Sequence, residues 1–239
     1  MIAFLVILFG YQLQSSVLQL LFYTWRGKDK AAWKVQPGKG NTGVFWGHPL
    51  LSAKHGRAPY HRAITSFNLL MASSFAGACS ELAIRGSIMG LRSSIRFTNA
   101  SVGQFCVELC AAILWESVLE YYWHRLMHVP LFYSRFHKLH HHYKSPEVWD
   151  DLYIHPLEAF GYYLILYSPT VIIPIHVVSF IGYMIIMGLC GVMDHSGIKM
   201  KIPYIYNSVD HDLHHKYTKI NYGFPFPFMD ILMNTYYRE

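Results

Sequence analysis

Two short stretches contain most of the side chains that could do chemistry. Nine of the fifteen histidines fall within YYWHRLMHVPLFYSRFHKLHHHY, residues 121–143, and DHDLHH, residues 210–215. His124 and His128 are four residues apart, so a helix would present both rings on one face. Two further groups repeat this spacing at i, i+3 and i+4: His137, His140 and His141, then His211, His214 and His215.

Eight imidazoles in three groups are more than a single metal ion needs, since a structural zinc site takes four ligands. The pattern predicts two ions, and imidazole is a normal ligand for iron, zinc, copper or nickel. A solvated histidine tract, or core histidines bonded to the backbone, would explain one pair more readily than three spaced groups. His142 lies one position beyond the second group, about 100° round a helix from His141, and is excluded.

The composition indicates a membrane protein. Hydrophobic residues make up 53% of the chain and charged residues only 14%, against about a quarter charged in soluble proteins. The net charge of +6 comes from basic residues between apolar runs, which is typical of membrane topology signals and not of a nucleic-acid-binding stripe. All four cysteines lie in apolar segments, which argues against a disulfide framework.

The first hundred residues contain two predicted membrane spans. Residues 2–25 and 64–83 are each long and apolar enough to cross a bilayer core, and the first lacks the signature of a cleaved signal. Residues 26–62 between them carry eight lysines and arginines against the single acid Asp29, which predicts an exposed basic loop. The alternative role of this loop's histidines, His48, His55 and His61, as metal ligands is disfavoured.

A long helix is expected to lead into the first histidine group. Ser101 and Gln104 form the S-x-x-Q pattern of a capping box, and the apolar pattern continues to His128. Three glutamates lie on the same stripe as the histidines: Glu108, Glu116 and Glu120. Hydrogen bonding between helices is the simple interpretation for all three. Glu120, one turn before His124, is also a candidate for orienting that ligand.

Residues 159–193 contain no Asp, Glu, Lys or Arg. This uncharged run is longer than one membrane span and slightly short for two. Pro169 and Pro174 interrupt this run, so we predict a re-entrant or tightly turned helical hairpin whose flanking His155 and His195 emerge on the same side. The remaining residues are polar and aromatic. Five tyrosines are predicted to lie at the membrane interface: Tyr204, Tyr206, Tyr217, Tyr236 and Tyr237.

This arrangement of spans has a topological consequence. If the long basic loop is cytosolic, the second span leaves the cytosol and the third returns, so every histidine group arrives on the cytosolic face. The expected fold is therefore all-α, a multi-pass membrane protein with about three spans, a re-entrant hairpin and a cytosolic histidine-rich cap. Residues 1–100 would hold the N-terminal spans and basic loop, and residues 101–239 a catalytic domain.

The motifs HRLMH, HKLHH and HDLHH resemble the three histidine boxes of the membrane fatty acid hydroxylase/sterol desaturase superfamily. HPLE at 155–158, HSG at 195–197 and NYG at 221–223 followed by Asp230 extend the resemblance, and their order is most similar to the sterol C-4 methyl oxidase branch. The resemblance implies a non-haem di-iron oxygenase whose ten metal ligands are His124, His128, His137, His140, His141, His155, His195, His211, His214 and His215. The eight box histidines would form the catalytic set.

The resemblance also implies two Fe ions, which zinc could replace in purified protein, with O2 as co-substrate. The substrate would be a membrane sterol or fatty acyl lipid, and the location the endoplasmic reticulum membrane. Electrons would come from a separate microsomal b-type cytochrome and its NAD(P)H reductase. Asp194 and Asp210 each precede a candidate ligand and could accept its second N–H, although a solvated acid at a loop end explains them equally well.

Three alternatives remain open at this stage. A desaturase of the same superfamily would begin from the same hydrogen abstraction as a hydroxylase, and histidine spacing does not distinguish them. A metal-binding membrane protein without turnover, such as a transporter, would be expected to place its ligands inside the spans. A bis-histidine haem protein would need paired histidines on facing spans.

Overall fold

The computed structural model describes residues 1–39, 60–203 and 205–238. The helices are α1 (Ile2–Leu18, continued by a π-helical segment Gln19–Trp25), α2 (Lys30–Trp33), α3 (His61–Arg85), α4 (Val102–Met127), α5 (Pro130–Phe132), α6 (Pro156–Tyr167), α7 (Pro169–Ile172), α8 (Val177–Asp194), α9 (Ser208–Tyr217) and α10 (Phe228–Leu232). The strands are two residues each: β1 (Ser87–Ile88), β2 (Leu91–Arg92), β3 (Ile95–Arg96), β4 (Ile175–His176), β5 (Lys201–Ile202) and β6 (Tyr206–Asn207).

Among the described residues, four helical segments are long and apolar enough to cross a membrane: Ile2–Trp25, α3, α4 and α8. Their outward faces are rich in exposed apolar side chains such as Phe9, Phe67 and Ile185, as a lipid-facing surface requires. The prediction of an all-α, multi-pass membrane protein is confirmed.

Helix α4 begins and ends where its sequence predicts. The Ser101 hydroxyl accepts a hydrogen bond from the Gln104 backbone N–H, and Pro130 follows the end of the helix. Its buried side chains include Glu108, Glu116 and His124 of the predicted stripe. The helix therefore carries one polar seam from one side of the bundle to the other.

Glu108 fixes the end of α4 farthest from the histidines. Its carboxylate accepts hydrogen bonds from the backbone N–H of His176 and the hydroxyl of Ser179, at the start of α8, and from Arg96 and Gln104. The predicted inter-helix bonding of this acid is confirmed, and it ties α8 to α4 at the edge of the membrane-spanning region.

The hairpin formed by α6, α7 and α8 extends the full length of the bundle. Strand β4 at its turn pairs in parallel with β3, which directly precedes α4. The turn therefore lies level with the start of α4, and α8 is long enough to cross the membrane by itself. The predicted hairpin is present, and α7 extends its descending arm beyond Pro169.

On one side of the helical bundle lie the C-terminus of α1, the N-terminus of α3, the C-terminus of α4 and both ends of the hairpin. We call this region the cap. The prediction of an exposed basic loop after α1 is wrong at three of the described residues: Trp33 is 3% exposed, Lys34 0% and His61 4%. The His61 Nε2 is bonded to the buried Asp150, 2.9 Å away, so this histidine has a structural partner. His48 and His55 lie outside the described residues.

Candidate metal centre

Five imidazoles converge in the cap to form what we call the first cluster: His124, His128, His137, His141 and His214. Four of them make a closed circuit through their Nε2 atoms. The Nε2–Nε2 distances are 2.9 Å from His137 to His128, 3.1 Å from His128 to His214, 3.1 Å from His214 to His141 and 3.0 Å from His141 to His137. The fifth ring, that of His124, has its Nε2 buried without a hydrogen-bond partner among the described residues.

The opposite nitrogens show that two rings of the first cluster present a lone pair on Nε2. The Nδ1 of His124 is bonded to the Tyr222 carbonyl at 2.8 Å, and that of His214 to the Ile220 carbonyl at 2.6 Å. A carbonyl only accepts, so in these two rings Nδ1 carries the proton and Nε2 is free to bind a cation.

The size of the circuit fits a metal ion. A square with edges of about 3 Å has its centre about 2.1 Å from each corner, which is the usual zinc–imidazole distance of about 2.0–2.1 Å. Neutral imidazole nitrogens suit iron, zinc, copper and nickel alike. The first cluster is therefore suited to one ion by its donor set and its dimensions.

A second cluster of four imidazoles lies beside the first: His140, His195, His211 and His215. The Nε2 of His195 lies 3.1 Å from that of His140 and 2.9 Å from that of His211. The Nδ1 of His215 is bonded to the Tyr143 carbonyl at 3.1 Å, and its Nε2 is buried with no hydrogen-bond partner in the described part of the chain. Together the described residues provide nine ligand nitrogens for two ions.

The environment keeps most of these rings neutral. Burial, and then the neighbouring imidazoles, holds the pKa of His137, His211 and His215 well below the ordinary histidine value. His195 is different: burial opposes its charge, but its bond to Asp151 and that acid's charge raise its pKa above the ordinary value. Neutral rings are the form that binds a metal ion.

The second and third histidine boxes are divided between the clusters. His137 and His141 point to the first cluster whereas His140 points to the second, and His214 points to the first whereas His211 and His215 point to the second. The second box is not a regular α-helix: a π-helical turn, Tyr133–His137, is followed by a 3₁₀ turn, His140–His142. The i, i+4 pairs share a cluster, as expected for one helical face.

The structure does not bring His155 into either cluster. Its ring packs against Phe136 with centroids 4.9 Å apart, and its Nδ1 accepts a hydrogen bond from the Leu157 backbone N–H at the start of α6. It acts as an N-cap, which directs the ring away from the metal centre. The expectation of five ligands for each ion thus becomes five and four.

The acids predicted to orient ligand rings have other partners in the described part of the chain. The Nδ1 of His124 is bonded to Tyr222, and Glu120 interacts instead with Glu116 and His195. Asp194 accepts a hydrogen bond from the Tyr206 hydroxyl, and Asp210 from the Asn207 amide at 2.7 Å. Both aspartates hold the polypeptide around the cap and not an imidazole.

Two other acids orient ligand rings, and the sequence analysis assigned them no such role. Glu158 is bonded to the Nδ1 of His137, with both side chains fully buried, and Asp151 lies 3.0 Å from the Nδ1 of His195. Glu158 belongs to the HPLE motif, whose histidine is the predicted ligand. Its position next to the uncharged run that forms the hairpin is the available signal, because an acid buried there needs a partner.

The NYG motif and Asp230 form the support for the first cluster. Asp230 accepts hydrogen bonds from the backbone N–H groups of Tyr222 at 2.8 Å and Gly223 at 2.6 Å. This fixes the loop whose carbonyls accept from His124 and His214. Position 223 requires glycine because a Cβ there would lie 2.7 Å from the Asp230 carboxylate.

Comparison with known proteins agrees with this site. The sequence model of the fatty acid hydroxylase family matches residues 109–235, which include every histidine of the two clusters. The chain belongs to this family, whose members form a class of lipid-modifying oxygenases. No solved structure matches the chain.

Several curated proteins are similar to part of the chain. A Delta(7)-sterol 5(6)-desaturase of Gibberella zeae is 32% identical over 48% of this chain and 34% of its own length. Lathosterol oxidase of Mus musculus is 28% identical over 52% of this chain and 43% of its own. A very-long-chain aldehyde decarbonylase of Oryza sativa is 32% identical over 62% and 58%. The chain thus spans between about a third and three fifths of the length of these relatives.

Proposed function

We propose that this chain is a membrane-bound, non-haem di-iron oxygenase that oxidises a C–H bond of a lipid, using O2 and electrons from a separate carrier. The observation that carries the proposal is the convergence of nine imidazoles, in clusters of five and four, at the ends of membrane-spanning helices. Two iron ions held there would supply the O2 chemistry that protein groups alone rarely perform. The eight box histidines are the proposed catalytic set, and His195 the ninth ligand.

The chain's own groups give this site its geometry. Carbonyls of Ile220, Tyr222 and Tyr143 hold the proton of a ligand ring on Nδ1, so that each Nε2 faces the centre. Such fixed rings do not have to reorganise when an ion binds. Burial excludes water: His137 and His214 are 0% exposed. A dry, preorganised pocket is what oxidation of an unactivated lipid requires.

The position of the site suggests its substrate class. The clusters lie where the spans enter the cap, so a lipid could present a carbon atom from the bilayer without leaving it. We favour a sterol or a fatty acyl lipid, because the relatives named above act on sterols and very-long-chain aldehydes. Within that class we favour a sterol methyl oxidase-like reaction, because the order of the sequence motifs is most similar to that branch.

We further propose that the chain lies in the endoplasmic reticulum membrane with the cap facing the cytosol. The basic residues of 26–39 lie at the cap end, which is the arrangement that the positive-inside trend favours. A cytosolic cap would receive electrons from a microsomal b-type cytochrome and its NAD(P)H reductase. Residues 101–239 would form the catalytic domain and residues 1–100 its membrane anchor.

The proposal is tested by lipid profiling of cells from which the gene has been deleted. Expression of the intact chain should restore the missing product, and expression of the His140→Ala variant should not. The His142→Ala variant is the matched control, because His142 neighbours a ligand but is exposed and outside both clusters. Restoration by His140→Ala equal to that by the intact chain would refute the catalytic assignment.

A desaturase is the second candidate, favoured by the sterol desaturase among the relatives. Mass spectrometry of the restored product separates the two reactions. Hydroxylation adds an oxygen atom to the substrate, whereas desaturation removes two hydrogen atoms.

A further inference from the structure

The short segment that follows the first membrane span, residues 30–36, lies across the cap; we call it the strap. At its centre Lys34 is 0% exposed, and its Nζ lies 2.7 Å from the carboxylate of Glu147, which is itself buried. The same ammonium group lies 5.2 Å from the ring centroid of Tyr23. A fully buried lysine is rare and costly unless its charge is paired.

The strap is bonded to the segment that follows His195. The Val35 N–H donates to the Gly197 carbonyl at 2.9 Å, and the Lys199 N–H donates to the Trp33 carbonyl at 2.7 Å. The Tyr23 hydroxyl also donates to the Ser196 carbonyl at 2.5 Å. These bonds fix the backbone immediately after one ligand of the second cluster.

The strap also reaches the two other segments that carry second-cluster ligands. The Gln36 side-chain amide donates to the Lys144 carbonyl at 2.8 Å, four residues after His140. It donates as well to the Asp212 carboxylate at 2.6 Å, which lies between His211 and His215 on α9. The charge of Lys34 acts on the same carboxylate.

These three connected segments supply all four ligands of the second cluster. The first cluster also takes three ligands from two of these segments: His137, His141 and His214. It differs because its other two ligands, His124 and His128, come from the end of α4, which Glu108 and the packing of α4 position independently of the strap. The strap lies outside residues 109–235, the part of the chain that matches the family. Its contribution to the metal centre is therefore additional to what the matched region provides.

We propose that the strap, through the buried Lys34–Glu147 pair, positions the second cluster, so that binding of the second ion depends on residues 30–36 far more than binding of the first does. Lys34 is a positioning residue in this proposal, since it contacts no ligand ring directly. The inference rests on the proposed binding of one ion by each cluster.

The test measures metal bound per folded chain and titrates the metal-free protein with Fe(II), and separately with Zn(II), in detergent. The intact chain should bind two ions. Lys34→Met should keep the first and bind the second at least tenfold more weakly, because the buried Glu147 carboxylate loses the ammonium group that lies 2.7 Å from it. The double variant Lys34→Met, Glu147→Met should recover much of the second site, because an apolar pair replaces the ion pair.

Lys28→Met is the matched control, since Lys28 is exposed on the approach to the strap. It should bind both ions like the intact chain. Gln36→Leu is a milder variant that keeps the ion pair and removes the contacts to Lys144 and Asp212. It should weaken the second site several-fold even if Lys34→Met does not fold.

Each other outcome is decisive. Two tightly bound ions in both Lys34→Met and Gln36→Leu would overturn the role of the strap. Parallel weakening of both sites would show that the strap stabilises the whole cap and not the second cluster. An intact chain that binds no pair of ions would instead refute the proposed function itself.

Discussion

The two histidine clusters differ in how their rings are held. In the first, His137 is oriented by the buried carboxylate of Glu158, and the Ile220–Tyr222 loop orients two further rings through its carbonyls. In the second, the Nδ1–H of His195 is shared between the Gly191 carbonyl and Asp151. The Nδ1 of His211 has no hydrogen-bond partner among the described residues.

This difference shows that two sites of similar chemistry can be positioned by different means. The first cluster takes two rings from the end of the membrane helix α4, and a fully buried acid contacts a third. The second takes its rings from the end of α8, a 3₁₀ turn and α9, whose neighbouring segments are bonded to the strap. Substitutions should therefore separate the clusters, and four predictions follow the expected size of the effect.

The largest effect should come from replacing one or the other of two adjacent histidines with alanine. His141→Ala should lose the ion of the first cluster and His140→Ala that of the second, because neighbouring residues point to different clusters. Metal analysis should find one retained ion in each single variant and none in the double variant, with His142→Ala as the control. Loss of both ions from either single variant would mean that the clusters form one indivisible site.

The second-largest effect is expected at Glu158, the acid bonded to His137 of the first cluster. Glu158→Gln should weaken metal binding at that cluster by about 10–100-fold, because a neutral amide is a poorer acceptor for the Nδ1–H of His137. Titration of the metal-free protein measures this directly. An equal change at the second cluster would show that Glu158 stabilises the cap in general.

A packing substitution should affect the fold near the first cluster. At Gly161 of α6, a Cβ would lie 2.2 Å from the ring of Trp123, the residue before His124. Gly161→Ala should lower the free energy of unfolding by about 1–3 kcal/mol, as overpacking does.

Denaturant unfolding in detergent measures this loss. Gly188→Ala on α8 is the matched control, because nothing lies within 4 Å of its added Cβ. It should be neutral or stabilising by about 0.5–1 kcal/mol. Equal losses in the two variants would contradict the role assigned to the Trp123 contact.

The smallest effect is expected at Asp151. The Asp151→Asn variant should weaken the second cluster only a few-fold, because the Gly191 carbonyl at 3.0 Å still accepts the His195 proton. Comparison with Glu158→Gln then shows how much metal affinity is kept when a ligand's Nδ1–H has a second acceptor, as that of His195 does. A larger loss of metal affinity in Asp151→Asn than in Glu158→Gln would contradict the expected order of the two acids.

Local patterns predicted much of this protein. The apolar runs gave the spans, the capping box gave the start of α4, and Glu108 has the inter-helix role expected of a buried acid. His155 shows the limit: its motif resembles a ligand motif, yet its ring caps α6. Lys34 shows the same limit, because nothing in a basic loop indicates which of eight cations becomes buried.

The sequence by itself determined the donor atoms and the helices that carry them, because ligand type and helical periodicity are properties of neighbouring residues. Only the tertiary structure decided which ring joins which ion and which acid or carbonyl orients it. Those pairings connect residues far apart in the chain, such as His128 with His214 and Lys34 with Glu147. They depend on how the helices pack, and no local spacing contains that information.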